Sequence, residues 1–263
     1  MERKLHLGIA AALTTIATLA ISAQSLSAQE HSEEAYGYVH ESPNYPSEVW
    51  TLAAGGRIYD KWWDALDRDE PEGTNPAYPV TGQKSGSTTW RCKECHGWDY
   101  MGKDGIYSGG SHYTGIPGIR GADGSSVEAI LVTLRNDSHP YTQEMITDVE
   151  MARVALFVSR GQVDMTQFLD MENRKVNAGN ADRGREIFQT ICAACHGFDG
   201  RMLDWGDGDE HNFVGTEAVD VPDEVMHKVL SAHPGVQMIN LRAFPYSDAI
   251  DVMAYAATLP TGE

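Results

Sequence analysis

The chain has 263 residues, a length that suits one large domain or two small ones. Apolar residues make up 41% of it, which permits packed cores and excludes wholesale disorder. Acidic residues outnumber basic ones by 38 to 20, giving a formal charge of −18. Because nucleic-acid binding needs a basic surface, we expect no nucleic-acid partner and instead expect partner proteins with basic docking surfaces.

The first 28 residues have the three-part pattern of a secretory signal peptide. They open with the basic stretch M-E-R-K, continue with mostly apolar residues to Ile21 and end with small residues. We expect cleavage after Ala28, with Ala23 and Ser25 as other positions and an uncleaved anchor as the alternative. A second long apolar run is missing from the sequence. We therefore expect a periplasmic protein without a transmembrane segment after signal removal.

The four cysteines fall in two matching windows, C-K-E-C-H-G-W-D from Cys92 and C-A-A-C-H-G-F-D from Cys192. This internal repeat predicts two homologous domains. C-x-x-C-H is the attachment signature of haem c: two thiols on one helical turn bond to the porphyrin, and the next histidine lies under the iron. We therefore predict two covalently bound haem c groups, attached through two pairs of thiols with one proximal histidine each: Cys92, Cys95 and His96, then Cys192, Cys195 and His196.

Other uses of paired cysteines fit the pattern less well. Disulfides and thioredoxin-like pairs do not need a histidine after the second cysteine. A zinc ribbon needs roughly 15–20 residues between its cysteine pairs, whereas 96 residues separate Cys95 from Cys192.

With these motifs the sequence resembles the bacterial dihaem cytochromes c, which have two class I-like domains in tandem. The resemblance covers residues 50–263 and is strongest around G-R-E-I-F-Q-T-I-C-A-A-C-H-G and M-I-N-L-R-A-F. It implies an all-α fold of two cytochrome c-like domains, electron transfer and a periplasmic location. P-G-I-R-G at Pro117–Gly121 resembles the family's loop under the proximal histidine, which implies a backbone carbonyl that accepts the Nδ1 proton of His96.

We divide the chain into an N-terminal segment at 29–46, a first domain at 47–161, a linker at 162–180 and a second domain at 181–263. We predict the main helices from capping residues and apolar spacing. In the first domain they cover Ser125–Arg135 and a stretch from a capping box at Thr147 and Glu150 to about Ser159; in the second they start at Asp182, Pro222 and Ser247.

A loop-rich insertion distinguishes the first domain. G-G-R-I-Y-D-K-W-W parallels G-R-E-I-F-Q-T, and counting from Gly56 and Gly184 to the next cysteine makes the first domain longer by 28 residues. The extra residues are rich in proline, glycine and polar types. They could shield a haem edge, dock a partner or form a solvated loop.

The second iron needs a distal ligand, and Met238 lies in a loop bracketed by proline and glycine before the last helix. A Met/His ligand pair is usual for cytochromes c, so we predict Met238 in this role. His227 and His233 are weaker alternatives, because a lone histidine more often has a loop or helix-surface role. Met226 and Met253 lie at helical positions and are expected in the core.

The distal ligand of the first iron has two candidates, His139 and Met145. Aligning the domains on the H-P dipeptides places Met145 one residue from Met238, whereas aligning them on the last helices places Met238 beside His139. We favour His139, because Met145 lies only two residues before the cap Thr147 and leaves little chain to cross a haem face. H-P-Y-T-Q-E-M-I-T-D also resembles the family's M-P-x-F-x-x-x-L-T-D, with histidine in place of methionine. Met145 and an open coordination position remain the alternatives.

A second histidine leaves a haem at lower potential than a methionine does. We therefore expect a low-potential first haem, a higher-potential second haem and a periplasmic electron carrier. The alternatives are a dihaem redox enzyme, either a peroxidase or a sulfur or nitrogen oxyanion oxidoreductase, and a cytochrome subunit of a dehydrogenase complex. An enzyme would need an open iron with acid, base or cationic groups nearby, for which His112, Arg120 and Arg135 are candidates.

Overall fold

Residues 40–262 are described by a computed structural model, so the predicted signal peptide at 1–28 lies outside the described residues. Within 40–262 the chain is mostly helical with one two-stranded ladder, which confirms the helical class. The helices are α1 Glu48–Leu66, α2 Cys92–His96, α3 Val127–Leu134, α4 Asp148–Arg160, α5 Ala181–Ile187, α6 Ala193–His196, α7 Val214–Asp220, α8 Pro222–Ser231 and α9 Tyr246–Ala256.

Shorter elements complete the backbone. Strands β1 (Leu169–Asp170) and β2 (Lys175–Val176) pair antiparallel, and a π-helical turn at Phe188–Cys192 joins α5 to α6. The 3₁₀ turns are Gly86–Trp90, Gly110–His112, Arg120–Ala122 and Met165–Gln167. None of the described helices combines the length and apolar character needed to cross a membrane.

Each half of the chain begins with a helix that crosses the last helix of that half at a glycine. A Cβ on Gly55 of α1 would overlap the backbone oxygen of Arg153 in α4, and a Cβ on Gly184 of α5 would overlap that of Asp251 in α9. Gly55, and not Gly56, is therefore the counterpart of Gly184. From these glycines to the next cysteine the first half is longer by 29 residues, one more than the sequence comparison indicates.

Helix caps agree with the predictions to within two residues. The capping box at Thr147 and Glu150 is present and confirms the start of α4. Helix α8 begins at Pro222 as predicted. Asn180 caps α5 by accepting from two backbone N–H groups, so this helix begins before Asp182. Helix α9 also begins early, at Tyr246.

The linker and the insertion both contribute buried side chains. In the linker, Phe168 is 0% and Leu169 2% exposed. In the insertion Tyr78 is buried, and the carbonyl of Gly73 accepts from Nε1 of Trp90, two residues before Cys92, at 3.1 Å. The backbone N–H of Asn75 donates to Oγ1 of Thr89 at 2.9 Å. The insertion is thus packed onto the residues just before Cys92, which disfavours a purely solvated loop.

A buried ion cluster joins the two halves. Asp60 of α1 is fully buried and pairs with Arg91, and Lys228 of α8 lies 3.3 Å from its other oxygen. Burial alone would raise the pKa of Asp60, but Lys228 and Arg91 outweigh burial and lower it from 3.8 to about 2. The carboxylate is therefore charged at neutral pH and balances cations from both halves.

We predict that Asp60→Asn lowers the free energy of unfolding at pH 7 by about 3 kcal/mol, because two buried cations lose their counter-charge. A depressed carboxyl pKa contributes stability that is complete above the unfolded value and is lost as pH falls through the folded value. The stability difference between native protein and variant should therefore shrink between pH 4 and pH 2 in urea unfolding curves.

Asp209→Asn serves as the control, because Asp209 is exposed. It should leave the unfolding curves unchanged. Two outcomes would contradict the prediction: an equal loss of unfolding free energy in both variants, or a stability difference between native protein and Asp60→Asn that is as large at pH 2 as at pH 7.

Candidate functional site

Both C-x-x-C-H motifs fold into the same short helical turn. Each turn ends at a glycine in a conformation that L side chains avoid: Gly97 has φ 79° and Gly197 has φ 77°, both with ψ 161°. Six residues after each histidine the chain returns, so that Gly102 N–H donates to the carbonyl of His96 at 2.8 Å and Met202 N–H to that of His196 at 3.0 Å. The sequence repeat is thus also a structural repeat.

The aspartate of each motif holds the loop that follows. Asp99 Oδ1 accepts from the backbone N–H of Met101 at 3.1 Å, and Asp199 Oδ1 accepts from that of Arg201 at 3.2 Å. The repeated aspartates therefore have a structural role, and the chemistry is left to the cysteines and histidines.

The four cysteines are free thiols in the described part of the chain. Burial raises the pKa of Cys92 and Cys192 to about 11 and that of Cys95 to about 12. Redox-active cysteine pairs stabilise thiolates and so have lowered pKa values. The raised pKa values of Cys92, Cys95 and Cys192 therefore disfavour disulfide exchange.

His96 is oriented by a backbone carbonyl. Its Nδ1 lies 2.8 Å from the oxygen of Pro117, and because a carbonyl can only accept, Nδ1 carries the proton. This confirms the hydrogen bond expected from P-G-I-R-G. Burial lowers the pKa of His96 to about 4, so the ring is neutral and Nε2 has a free lone pair. A neutral imidazole with this tautomer is ready to bind a metal through Nε2.

His139 lies opposite His96. The two ring centres are 6.2 Å apart, with planes inclined by 20°. Nδ1 of His139 donates to the carbonyl of Thr133 at 3.0 Å, so its Nε2 is also a lone-pair atom. Two metal–nitrogen bonds of about 2 Å each, together with the radii of the two rings, place ring centres about 6 Å apart. One metal ion between the imidazoles would fit this spacing.

Arg135 holds the loop that carries His139. Its guanidinium donates to the carbonyl of Tyr141 at 3.0 Å and to that of Ile146 at 2.8 Å. Arg135 precedes His139 in the chain and both acceptors follow it, so these bonds close the loop around His139. The hydroxyl of Tyr141 donates to the carbonyl of Trp90 at 2.9 Å, which ties the loop to the residues before Cys92. The loop is therefore fixed before any metal binds.

Met145 has a different environment. Its side chain packs against the edge of the hydrophobic core, and its carbonyl accepts from Nη1 of Arg68 at 2.5 Å. It lines an open surface cavity of about 630 Å³ together with Trp62 and Asp67. His139, and not Met145, is the candidate ligand that lies beside His96.

The second histidine lacks the carbonyl that orients the first. Nδ1 of His196 is buried without a hydrogen-bond partner among residues 40–262. Val214 N–H donates to the carbonyl of Gly200, as Ile119 N–H donates to that of Tyr100 in the first half. Pro117 lies two residues before Ile119, and Asn212 lies two residues before Val214, so Asn212 is the counterpart of Pro117. The carbonyl of Asn212 instead accepts from Trp205 N–H at 2.9 Å.

Met238 is half-buried in the loop between α8 and α9, and its role as a ligand stays a prediction. Met226 and Met253 are fully buried, which confirms their place in the core. His227 was expected at a loop or helix surface, and this is wrong. It is 0% exposed because it lies where α8 packs against α1.

Two of the candidate enzyme groups have structural partners. Arg135 holds the distal loop, and Nδ1 of His112 lies 2.9 Å from the buried carboxylate of Glu94. Sequence reasoning missed this Glu94 contact and the bond between Tyr100 and His227. The repeat held one signal for the latter, since position 100 is tyrosine where position 200 is glycine.

In the described range, no group of three or more His, Cys, Asp or Glu side chains is arranged to hold a metal ion alone. A porphyrin-bound iron needs only one or two protein ligands, so this finding does not bear on haem. No protein-family model matches the chain, and no curated protein matches it significantly. The chemistry of the two turns is therefore what indicates function.

We predict that Gly197→Ala lowers the free energy of unfolding by about 1–3 kcal/mol, because an L side chain is strained at this φ and ψ. Thermal or urea unfolding measures the loss. Gly121→Ala is the matched control, since Gly121 has ordinary φ and open space where a Cβ would lie. A loss in Gly121→Ala as large as in Gly197→Ala would refute the backbone explanation.

Proposed function

We propose that this protein is a dihaem c-type cytochrome that carries electrons between redox partners in the periplasm. The observation that carries the proposal is the facing pair His96 and His139, 6.2 Å between ring centres, beside the thiols of Cys92 and Cys95. Both rings carry their proton on Nδ1, so each Nε2 has a lone pair that can bind a six-coordinate iron.

The residues present suit two haem groups. Cys92 and Cys95 would attach the first, with His96 and His139 as axial ligands. The second would be held by residues of the other repeat: Cys192 and Cys195 covalently, with His196 and Met238 as axial ligands. When bound, each haem supplies one-electron chemistry between ferrous and ferric iron. The protein supplies the two imidazole orientations and the buried surroundings.

A carrier fits the first site better than an enzyme does. A catalytic iron needs an open or displaceable position with acid, base or cationic groups nearby. At the first site the imidazoles of His96 and His139, each held by a backbone carbonyl, would both bind the iron and leave no open position. The guanidinium of Arg135 donates to backbone carbonyls of the loop that carries His139, so it is not free to serve a substrate. A cytochrome subunit of a larger complex would have the same two sites.

The proposed ligands give the two haems unequal potentials. Two histidines at the first site favour ferric iron more than the histidine and methionine of the second. The Nδ1 bond of His96 to Pro117 makes its ring more basic and strengthens this preference. Electrons would therefore pass from the first site to the second.

The excess of acidic residues bears on the partners. A charge of −18 on the whole chain favours docking with basic protein surfaces and association rates that fall with salt. We therefore propose that the electron donor and acceptor are proteins with basic docking surfaces.

We predict that the protein, produced with haem-attachment machinery, carries two covalent haems, both low-spin, one with two histidine ligands and one with histidine and methionine. His139→Ala should convert only the first haem to a high-spin form, because one axial ligand is lost. Absorption and electron paramagnetic resonance spectra of the oxidised protein measure this change.

Two further variants control the assignment. Met145→Leu, a replacement of similar volume, should leave both spectra unchanged, and Met238→Leu should affect only the second haem. If Met145→Leu instead removes the ligand of the first haem, the assignment of His139 is wrong. A native protein with a high-spin haem open to added ligands would overturn the carrier proposal in favour of an enzyme.

A further inference from the structure

Tyr100 has a backbone conformation that is unusual for its residue type. Its φ is +64°, in the left-handed region, where a side chain costs conformational energy. The equivalent residue of the second repeat is Gly200, with φ +75°, which bears no such cost. The repeat thus shows which residue the backbone alone prefers, and the first half has a tyrosine there instead.

The side chain of Tyr100 connects the two halves. It is 1% exposed, and its hydroxyl lies 2.8 Å from Nδ1 of His227 in α8. Nε2 of His227 lies 2.9 Å from the carbonyl of Gly56 and must donate to it, because a carbonyl only accepts. Burial lowers the pKa of His227 to about 4, so the ring is neutral and Nδ1 is an acceptor. Tyr100 is therefore the donor in this bond.

The backbone of Tyr100 leads from this bond to His96. Its carbonyl accepts from Ile119 N–H at 2.8 Å and from Arg120 N–H at 3.1 Å. Only Gly118 separates these residues from Pro117, whose carbonyl orients His96 at 2.8 Å. A continuous series of contacts thus runs from the second half, through Tyr100, to the ring of His96.

The second repeat provides an internal comparison. Gly200 has no side chain to anchor, and its carbonyl accepts from Val214 N–H at the longer distance of 3.4 Å. In that half Nδ1 of His196 has no partner among the described residues. The half with the anchored tyrosine has the orienting carbonyl bond, and the half with glycine lacks it.

We propose that Tyr100, anchored by His227, is a positioning residue that holds the Pro117 carbonyl against His96 and so lowers the potential of the first redox site. This inference rests on the proposed function. A strong bond from Nδ1–H to a carbonyl makes the imidazole a better donor and favours ferric iron. Loss of the anchor lets the loop relax, weakens that bond and raises the potential of the first site alone.

The test replaces Tyr100 by Phe, which removes the hydroxyl and keeps the ring. In redox titrations followed by absorption spectra, the ferrous form of the first haem should be favoured by about tenfold more than in native protein, an upward shift of about 59 mV. The potential of the second haem should not change. His227→Phe should give the same upward shift, and the double variant should add nothing further, because both changes break one link.

Tyr246→Phe is the matched control. It removes a tyrosine hydroxyl of the second half, which donates to the carbonyl of Asp164 at 3.5 Å. It should leave both potentials at their native values. Equal shifts in Tyr246→Phe and Tyr100→Phe, or equal shifts at both haems, would mean general loosening and would overturn the positioning role.

An unchanged first-site potential in folded, two-haem Tyr100→Phe would also overturn the inference, while the proposed function would stand. If Tyr100→Phe does not fold, His227→Phe decides by the same criterion. Native protein without two covalent haems would instead refute the proposed function, and the inference with it. Haem counts from pyridine haemochrome spectra separate these failures before any titration is done.

Discussion

The hydrogen bond from Nδ1 of His96 to the carbonyl of Pro117 is the constraint on which the first site depends. It fixes the tautomer, so that Nε2 of His96 carries the free lone pair. The left-handed Tyr100, the return of the chain at Gly102 and the loop after it all serve to place that carbonyl. On the other side, Arg135 fixes the loop of His139 in the same way, through backbone carbonyls. Imidazole orientation at this site is therefore a property of the folded backbone.

The two halves repeat a backbone and differ in what surrounds it. Both cross their first and last helices at a glycine, and both end the C-x-x-C-H turn at a glycine with the same φ and ψ. The halves are also joined, since Lys228 of the second contributes a charge to Asp60 of the first. A difference in potential between two proposed haems can thus arise from ligands, from the orienting carbonyl and from contacts between the halves.

Local features of the fold were predictable because short-range physics produces them. The capping box at Thr147 and the proline start of α8 depend on residues within one helical turn. The sequence comparison matched Gly184 to Gly56 instead of Gly55, because which glycine faces the partner helix depends on the packing of that helix. The preference for His139 over Met145 came from the length of chain available between cap and ligand, and it stays a prediction. The structure places the ring centre of His139 at 6.2 Å from that of His96.

The sequence by itself determined the two C-x-x-C-H turns and the repeat, and it predicted His139 as a ligand, because each is encoded in neighbouring residues or in the comparison of one half with the other. Only the tertiary structure decided that His227 is buried against Tyr100, 127 positions earlier in the chain, and that Asp60 is balanced by Lys228. The physical reason is that these partners meet through the packing of α8 on α1. No local periodicity or spacing records which side chains such a contact brings together.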